Sequence, residues 1–470
     1  MEIKDLGAVA LSERLARREV SAAEVMAATL DRIERVNPRL NAIVSLRDRD
    51  ALMTEAREAD EAPRKGWLHG IPIAVKDLAE TAGIATTMGS PIFATNVPKT
   101  DSGMVARMKA AGGIVIGKTN VPEFGLGSHT TNPVFGPTLN PYAPDRTPGG
   151  SSGGAAVALA ARLLSVADGS DMMGSLRNPA GWCNVYGFRP TWGRVPADPV
   201  EDTYLHRLST DGPMGRSPED VLALLRTQVA ADPRWPGAPW PPLEGLLDTE
   251  VRGRRVAWAG DWGGAFPMED GLVSLCGEAL SAFAGLGVTV ESVPPPHPAE
   301  ALWESWTTLR SFSVATRLAP IWANEAARAR LNAQAVWEVE RGRALSAMDL
   351  QRASALRSAW LRGAVSFFAD YDALILPTAQ VFPFDLRLPW PTEIAGRAMD
   401  TYHRWMEVMI PASLLGLPAL AVPCGFDARG LPMGLQIIGA PGRDMEVLQL
   451  GQAWHRATDW PSRRPPPGTG

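Results

Sequence analysis

The chain has 470 residues, 45% hydrophobic and 21% charged, with a formal net charge of -5. This is ordinary composition for a folded globular protein with one large core, and the lack of a basic run argues against nucleic-acid or anionic-membrane partners. The N-terminus is charged throughout and no stretch of about 18 apolar residues exists, so neither a signal peptide nor a membrane span is expected and a cytoplasmic location is the default.

In chain order, the first 45 residues read as helical. Ser21 and Glu24 form a capping box, with Val25, Met26, Thr29, Leu30, Ile33 and Val36 behind it at helical spacing. Asn37 and Pro38 end that helix. Strands are expected at 71–75, 114–116 and near 164–167, and helices at 102–111 and 153–164. This alternation predicts an α/β fold with a central sheet covered by helices. Residues 231–245 are Pro-rich and read as a loop, and 255–258 and 288–293 read as strands. The stretch 299–368 is largely helical and carries Trp303, Trp306, Trp322, Trp337 and Trp360. Strand-like runs return at 373–376, 419–422 and 434–438, and the Pro-rich tail from 456 to 470 is expected to be mobile. We read one domain: N-terminal helices (1–65), a core (66–230), a variable helical cover (231–368), a return to the sheet (369–455) and the tail.

The densest unusual segment is 148–190, where two Gly/Ser-rich turns are separated by a helix and a strand. Such a turn is most simply loop punctuation, but a second one 24 residues later weakens that reading. Three chemical readings compete. Phosphate binding is poorly supported, because GxxxxGK[ST] is absent and GGSSGG is not GxGxxG. A nucleophile elbow, GxSxG centred on Ser151 or Ser152, needs a preceding strand that 140–148 cannot supply, although His206, His297, His403 and His455 follow downstream. The third reading is a Ser–Ser–Lys arrangement. All six lysines fall in the first 118 residues, so few amine bases are available, and arginine cannot replace them. Cys183, Cys276 and Cys424 are widely spaced, and the six histidines are scattered without HExxH. Neither a metal nor a cofactor is expected.

Residues 149–154 (GGSSGG), 171–180 (DMMGSLRNPA) and 187–191 (GFRPT) together resemble the signature of the amidase signature family. Further blocks at 68–77, 117–141, 211–221, 372–378 and 416–439 resemble the same family in the same order, whereas roughly 230–365 carries no usable resemblance. The resemblance implies a mixed twisted central sheet covered by helices on both faces. It also implies a nucleophile at Ser175, a bridging Ser151 preceded by a cis peptide bond, and a general base at Lys76. Lys118 is the fallback base, and Ser152 and Ser170 read as turn or hydrogen-bonding residues. The oxyanion hole falls on the backbone N–H groups of Met172, Met173, Gly174 and Ser175. Asp171 and Arg177 fall on structural charged positions, with a solvated surface role for Arg177 as the alternative. The substrate wall falls on Gly125, Leu126, Gly127 and Ser128. The chain departs from the pattern at Met173, where the family has glycine, so that a long side chain beside the nucleophile is expected to shape the acyl pocket.

The chemistry needs a serine deprotonated by a base, and a lysine serves only if burial lowers its pKa toward neutrality. The expected substrate is a small amide or carbamate with an apolar or aryl group, with several tryptophans lining a cover over the site. The expected state is a monomer or homodimer. A non-catalytic binding subunit on the same fold is the alternative outside enzymology.

Overall fold

The computed structural model describes residues 2–197, 202, 204–232, 234 and 240–468. Within the Pro-rich stretch 231–245, residues 233 and 235–239 lie outside the described residues, and the rest carries no helix or strand.

Helix Ala22–Val36 starts where its cap dictates: the Ser21 side chain accepts from the Glu24 N–H, and Glu24 reaches back to the Ser21 N–H at 2.8 Å. It packs beside a three-stranded sheet. Strand β1 (Ile43–Val44) runs antiparallel to β3 (Ile114–Thr119), which runs parallel to β2 (Pro72–Lys76). Every residue of β2 and β3 is buried, as a strand covered on both faces requires.

The principal sheet has eight strands. They are β4 (Val166–Asp171), β5 (Tyr186–Arg189), β6 (Thr210–Gly215), β7 (Arg255–Trp258), β8 (Thr289–Ser292), β9 (Ala373–Pro377), β12 (Ala419–Phe426) and β13 (Pro432–Ile438). A short hairpin, β10 (Glu393–Ile394) with β11 (Arg397–Ala398), stands apart. The order β4-β6-β5-β12-β13-β9-β7-β8 is antiparallel from β4 to β9 and parallel from β9 to β8. The fold is therefore α/β with a mixed sheet, flanked by helices.

Helix Gly153–Ala160 is buried on all sides, which its run of alanines and glycines permits against β3, β4 and β6. It is shorter than the expected 153–164, because Arg162 turns left-handed at φ 59° and stops it. Strand β4 starts later and runs further than expected, through Gly169, Ser170 and Asp171. These are weak strand formers, and the pairing with β6 overrides that preference.

The helices after 298, Ala299–Arg317, Ala333–Arg343 and Ala347–Asp370 among them, pack against one another and against helix Ile410–Leu415. Trp306 and Trp360 are fully buried, and Trp360 Nε1 donates to the Pro411 carbonyl at 3.0 Å. The tail expected to be loose from 456 is docked instead. A helical turn covers Trp460–Arg463, and the Arg464 carbonyl accepts from the Tyr142 hydroxyl at 2.8 Å and Asn184 Nδ2 at 3.1 Å. Residues 469 and 470 lie outside the described ones. Among the described residues no helix is long and apolar enough to cross a membrane.

Candidate active site

Strand β2 ends on Lys76, whose side chain is 1% exposed. Its backbone N–H points across to β4, donating to both carboxylate oxygens of Asp168 at 3.2 Å. Among the described residues its amine meets serines only: Ser151 Oγ at 2.8 Å, Ser152 Oγ at 2.8 Å, Ser170 Oγ at 2.9 Å and the Ser170 carbonyl at 3.3 Å. Burial disfavours the ammonium form and brings the pKa down to about 7, against the pull of Asp211, Asp168 and Asp171. A lysine in this setting is substantially neutral near pH 7 and keeps a lone pair for a serine proton.

Ser151 lies in the turn between Pro148 and helix Gly153–Ala160, and the Gly150–Ser151 peptide bond is cis. Gly149 has φ 81°, and a Cβ there would lie 2.3 Å from Asn178 Oδ1, so no larger residue fits. The second turn leaves β4 at Asp171 and carries Met172, Met173, Gly174 and Ser175 into helix Arg177–Trp182. Gly174 has φ 87°, and a Cβ there would lie 2.5 Å from Met409 Cγ.

Asp171 anchors this second turn. It accepts from the N–H of Gly174 at 2.8 Å and of Leu176 at 3.2 Å, from Arg177 Nε at 3.0 Å and from Arg189 Nη1 at 3.0 Å. Burial alone would push its carboxyl up, but Arg177 and Arg189 hold it well below the usual carboxylate range. Arg177 is fully buried, so the surface alternative for it is wrong. Gly174 also departs from expectation. Its N–H is committed to Asp171 and is not free for an oxyanion. The N–H groups of Met172, Met173 and Ser175 donate to no protein acceptor among the described residues.

Ser175 (7% exposed) and Ser151 (3%) line one narrow cavity of about 40 Å³ together with Ser170. They are not hydrogen-bonded to each other among the described residues. Gly125, Leu126, Gly127 and Ser128 form one wall, with a Cβ built on Gly125 only 3.5 Å from Ser151 Oγ. Met172, Met173, Leu78, Phe124, Val314 and Met406 supply the apolar lining. Among the described residues no tryptophan lines the cavity, against the expected tryptophan cover. The cover is helix Ala299–Arg317, which contributes Arg310, Val314 and Arg317.

Sequence reasoning missed Arg310, Arg317 and Asp168, and gave Ser152 and Ser170 only a general hydrogen-bonding role. Lys118 is not in the cluster. Its amine contacts the Ala79 carbonyl at 2.5 Å, Thr81 Oγ1 at 2.9 Å and Thr86 Oγ1 at 3.2 Å. The nucleophile-elbow reading fails because Lys76, not a histidine, contacts Ser151 and Ser152. His129 bonds Thr147, His206 bonds Thr316, His455 bonds Tyr186, and His403 packs against Trp303. Among the described residues no three His, Cys, Asp or Glu side chains group as metal ligands would.

The sequence matches the family model Amidase over residues 24–448. It is 36% identical to a subunit of the glutamyl-tRNA(Gln) amidotransferase of Thermus thermophilus, over 95% of this chain and 96% of that one. It is 32% identical to an acylamidase of Rhodococcus erythropolis, over 98% of this chain and 97% of that one. The crystal structure of a bacterial aryl acylamidase of the amidase signature enzymes superposes with a TM-score of 0.90 at 27% identity, covering 98% of this chain and 99% of that one.

Proposed function

Since the chain belongs to the amidase signature family, and with it to the enzymes that break amide C–N bonds, we propose that it works through an acyl-enzyme on Ser175 with Lys76 as the base. The observation that carries this reading is the Lys76 amine: buried, 2.8 Å from Ser151 Oγ, brought to about pKa 7, and, among the described residues, hydrogen-bonded to serines alone.

Ser175 Oγ attacks the carbonyl carbon while its proton passes to Ser151 Oγ, whose own proton moves to the Lys76 lone pair. The oxyanion meets the N–H groups of Met172, Met173 and Ser175, a kind of stabilisation worth about 3 kcal/mol per donor. The Lys76 ammonium then returns a proton through the serines to the leaving nitrogen, and the C–N bond breaks. A water gives its proton to the same relay and attacks the acyl carbon; the acyl C–O bond to Ser175 breaks, and the relay returns the proton to Ser175 Oγ. Asp171, with Arg177, holds the turn that aims these donors. No step calls on a metal or cofactor.

The apolar lining favours an alkyl or aryl amide, or a carbamate, acted on as a small molecule by a monomer or homodimer. Met173 shapes the acyl side where a glycine would leave it open. A second reading rests on the 36% identity to the Thermus thermophilus protein: one component of an amidotransferase, working with partners on a glutamine amide. A panel of anilides, primary amides, esters and carbamates, followed by mass spectrometry of Ser175, separates the two. Turnover of anilides or carbamates with an acyl-Ser175 adduct supports the first reading. Activity confined to glutamine or asparagine overturns it in favour of the second.

A further inference from the structure

Among the described residues, the lining of the Ser151–Ser175 cavity contains two guanidinium groups and no carboxylate. Arg310 is neutralised: its Nε lies 2.6 Å from Glu338 Oε1 and its Nη2 2.6 Å from the Tyr402 hydroxyl, while Nη1 lies 3.3 Å from Met172 Sδ. Arg317 is not. Two turns further along the same helix, it donates to the Phe124 carbonyl at 2.8 Å, and among the described residues it has no ion pair. The residue as a whole is exposed, yet desolvation first, and Arg310 second, lower its pKa. A guanidinium held against a backbone carbonyl, without a counter-ion among the described residues, at a cavity lined by serines and apolar side chains is a receptor for a planar anion.

We propose that the substrate carries a carboxylate that pairs with Arg317, at the end of an apolar skeleton reaching to Ser175. The proposal rests on the hydrolase reading above and narrows it to one substrate class. The apolar lining takes the hydrocarbon part, and the uncompensated charge selects which hydrocarbon amides enter. If Arg317 served only to fasten helix Ala299–Arg317 to the loop at Phe124, every substrate would feel its loss equally.

The test compares matched pairs in one variant at a time. In the first pair succinanilate faces 4-methylpentananilide, with the anion on the acyl side. In the second N-acetyl-4-aminobenzoate faces N-acetyl-4-isopropylaniline, with the anion on the amine side. Assays at pH 9 keep Lys76 neutral, so that loss of the neighbouring charge does not enter. The anionic member of one pair should be preferred about tenfold or more in kcat/KM, the effect lying in KM. Arg317→Gln should collapse that ratio, and Arg317→Lys should restore part of it. No preference in either pair, or a preference that survives Arg317→Gln, overturns the proposal.

Calorimetric binding of succinanilate and of N-acetyl-4-aminobenzoate to Ser175→Ala separates this inference from the hydrolase reading. If the wild type hydrolyses none of these amides, binding to Ser175→Ala that Arg317→Gln abolishes would keep the anion site and discard the acyl-enzyme. Hydrolysis of the neutral amides, without Arg317-dependent binding of either anion, would do the reverse.

Discussion

The carboxylate of Asp168 on β4 accepts the backbone N–H of Lys76 on β2 through both oxygens, at 3.2 Å each, out of contact with solvent. It thereby joins the edge of the eight-stranded sheet to the strand that carries the candidate base. Its negative charge favours the ammonium form of Lys76, while burial raises its own pKa to about 6. Asp168→Asn keeps an acceptor for the N–H and removes the charge. The pKa of Lys76 should fall, so the acidic limb of the kcat/KM profile should move to lower pH. A limb that stays in place or moves up would show that Asp168 does not tune the amine.

Lys76 itself ties stability to pH. Its folded pKa, about 7, lies below the ordinary 10.5, so the unfolded chain binds one more proton between those values. The stability it contributes is complete above pH 10.5 and is lost as pH falls toward 7. The span is on the order of 5 kcal/mol as an upper bound, since each pKa unit corresponds to about 1.4 kcal/mol. Wild type should therefore gain stability over Lys76→Met as pH rises from 7 to 10. Denaturant midpoints for the two proteins at four pH values check this, and parallel curves would contradict a depressed amine.

Gly174→Ala tests the geometry of the turn that carries Ser175. It forces a side chain into φ 87° and a Cβ to within 2.5 Å of Met409 Cγ. A stability loss of about 2 kcal/mol or more should follow, with loss of activity. Adding Met409→Ala should relieve the contact but not the backbone conformation, so recovery should be partial. Thermal melts of both variants measure it.

Met173→Gly restores the residue that the signature pattern has at this place and empties one side of the cavity. Substrates with bulky acyl groups should gain about tenfold in kcat/KM relative to acetyl ones. An unchanged ratio would place Met173 outside the acyl pocket.

Much of this site is legible because its chemistry rests on local spacing. The capping box at Ser21, the buried strand ending on Lys76 and the two Gly/Ser turns all appear in the sequence as they appear in the fold. Asp168 escapes notice, and Ser170 is read only as a turn or hydrogen-bonding residue, because the apolar pattern of β4 stops at 167. Read through Asp171, its alternation places both on one face, toward Lys76. Strands β5 and β6 are hidden because they hold almost no β-branched residues and carry glycine, with proline as well in β6, and sheet pairing compensates. Arg310 and Arg317 have no local signal, since only tertiary packing brings their helix over a turn more than a hundred residues earlier. The tryptophans mislead for the opposite reason: their bulk suits a core as well as a cover, and here Trp303, Trp306 and Trp360 are buried in the core while Trp322 and Trp337 are half-buried.

The central claim is that an uncharged Lys76 activates Ser175 by way of Ser151. The most direct measurement is the rate of labelling by a fluorophosphonate at pH 5–9, with the modified residue read by mass spectrometry. The account predicts one adduct, on Ser175, forming at a rate that rises through a single ionisation near pH 7 and is lost in Lys76→Ala. Labelling of Ser175 at the wild-type rate in Lys76→Ala, or an adduct on another residue, would contradict it.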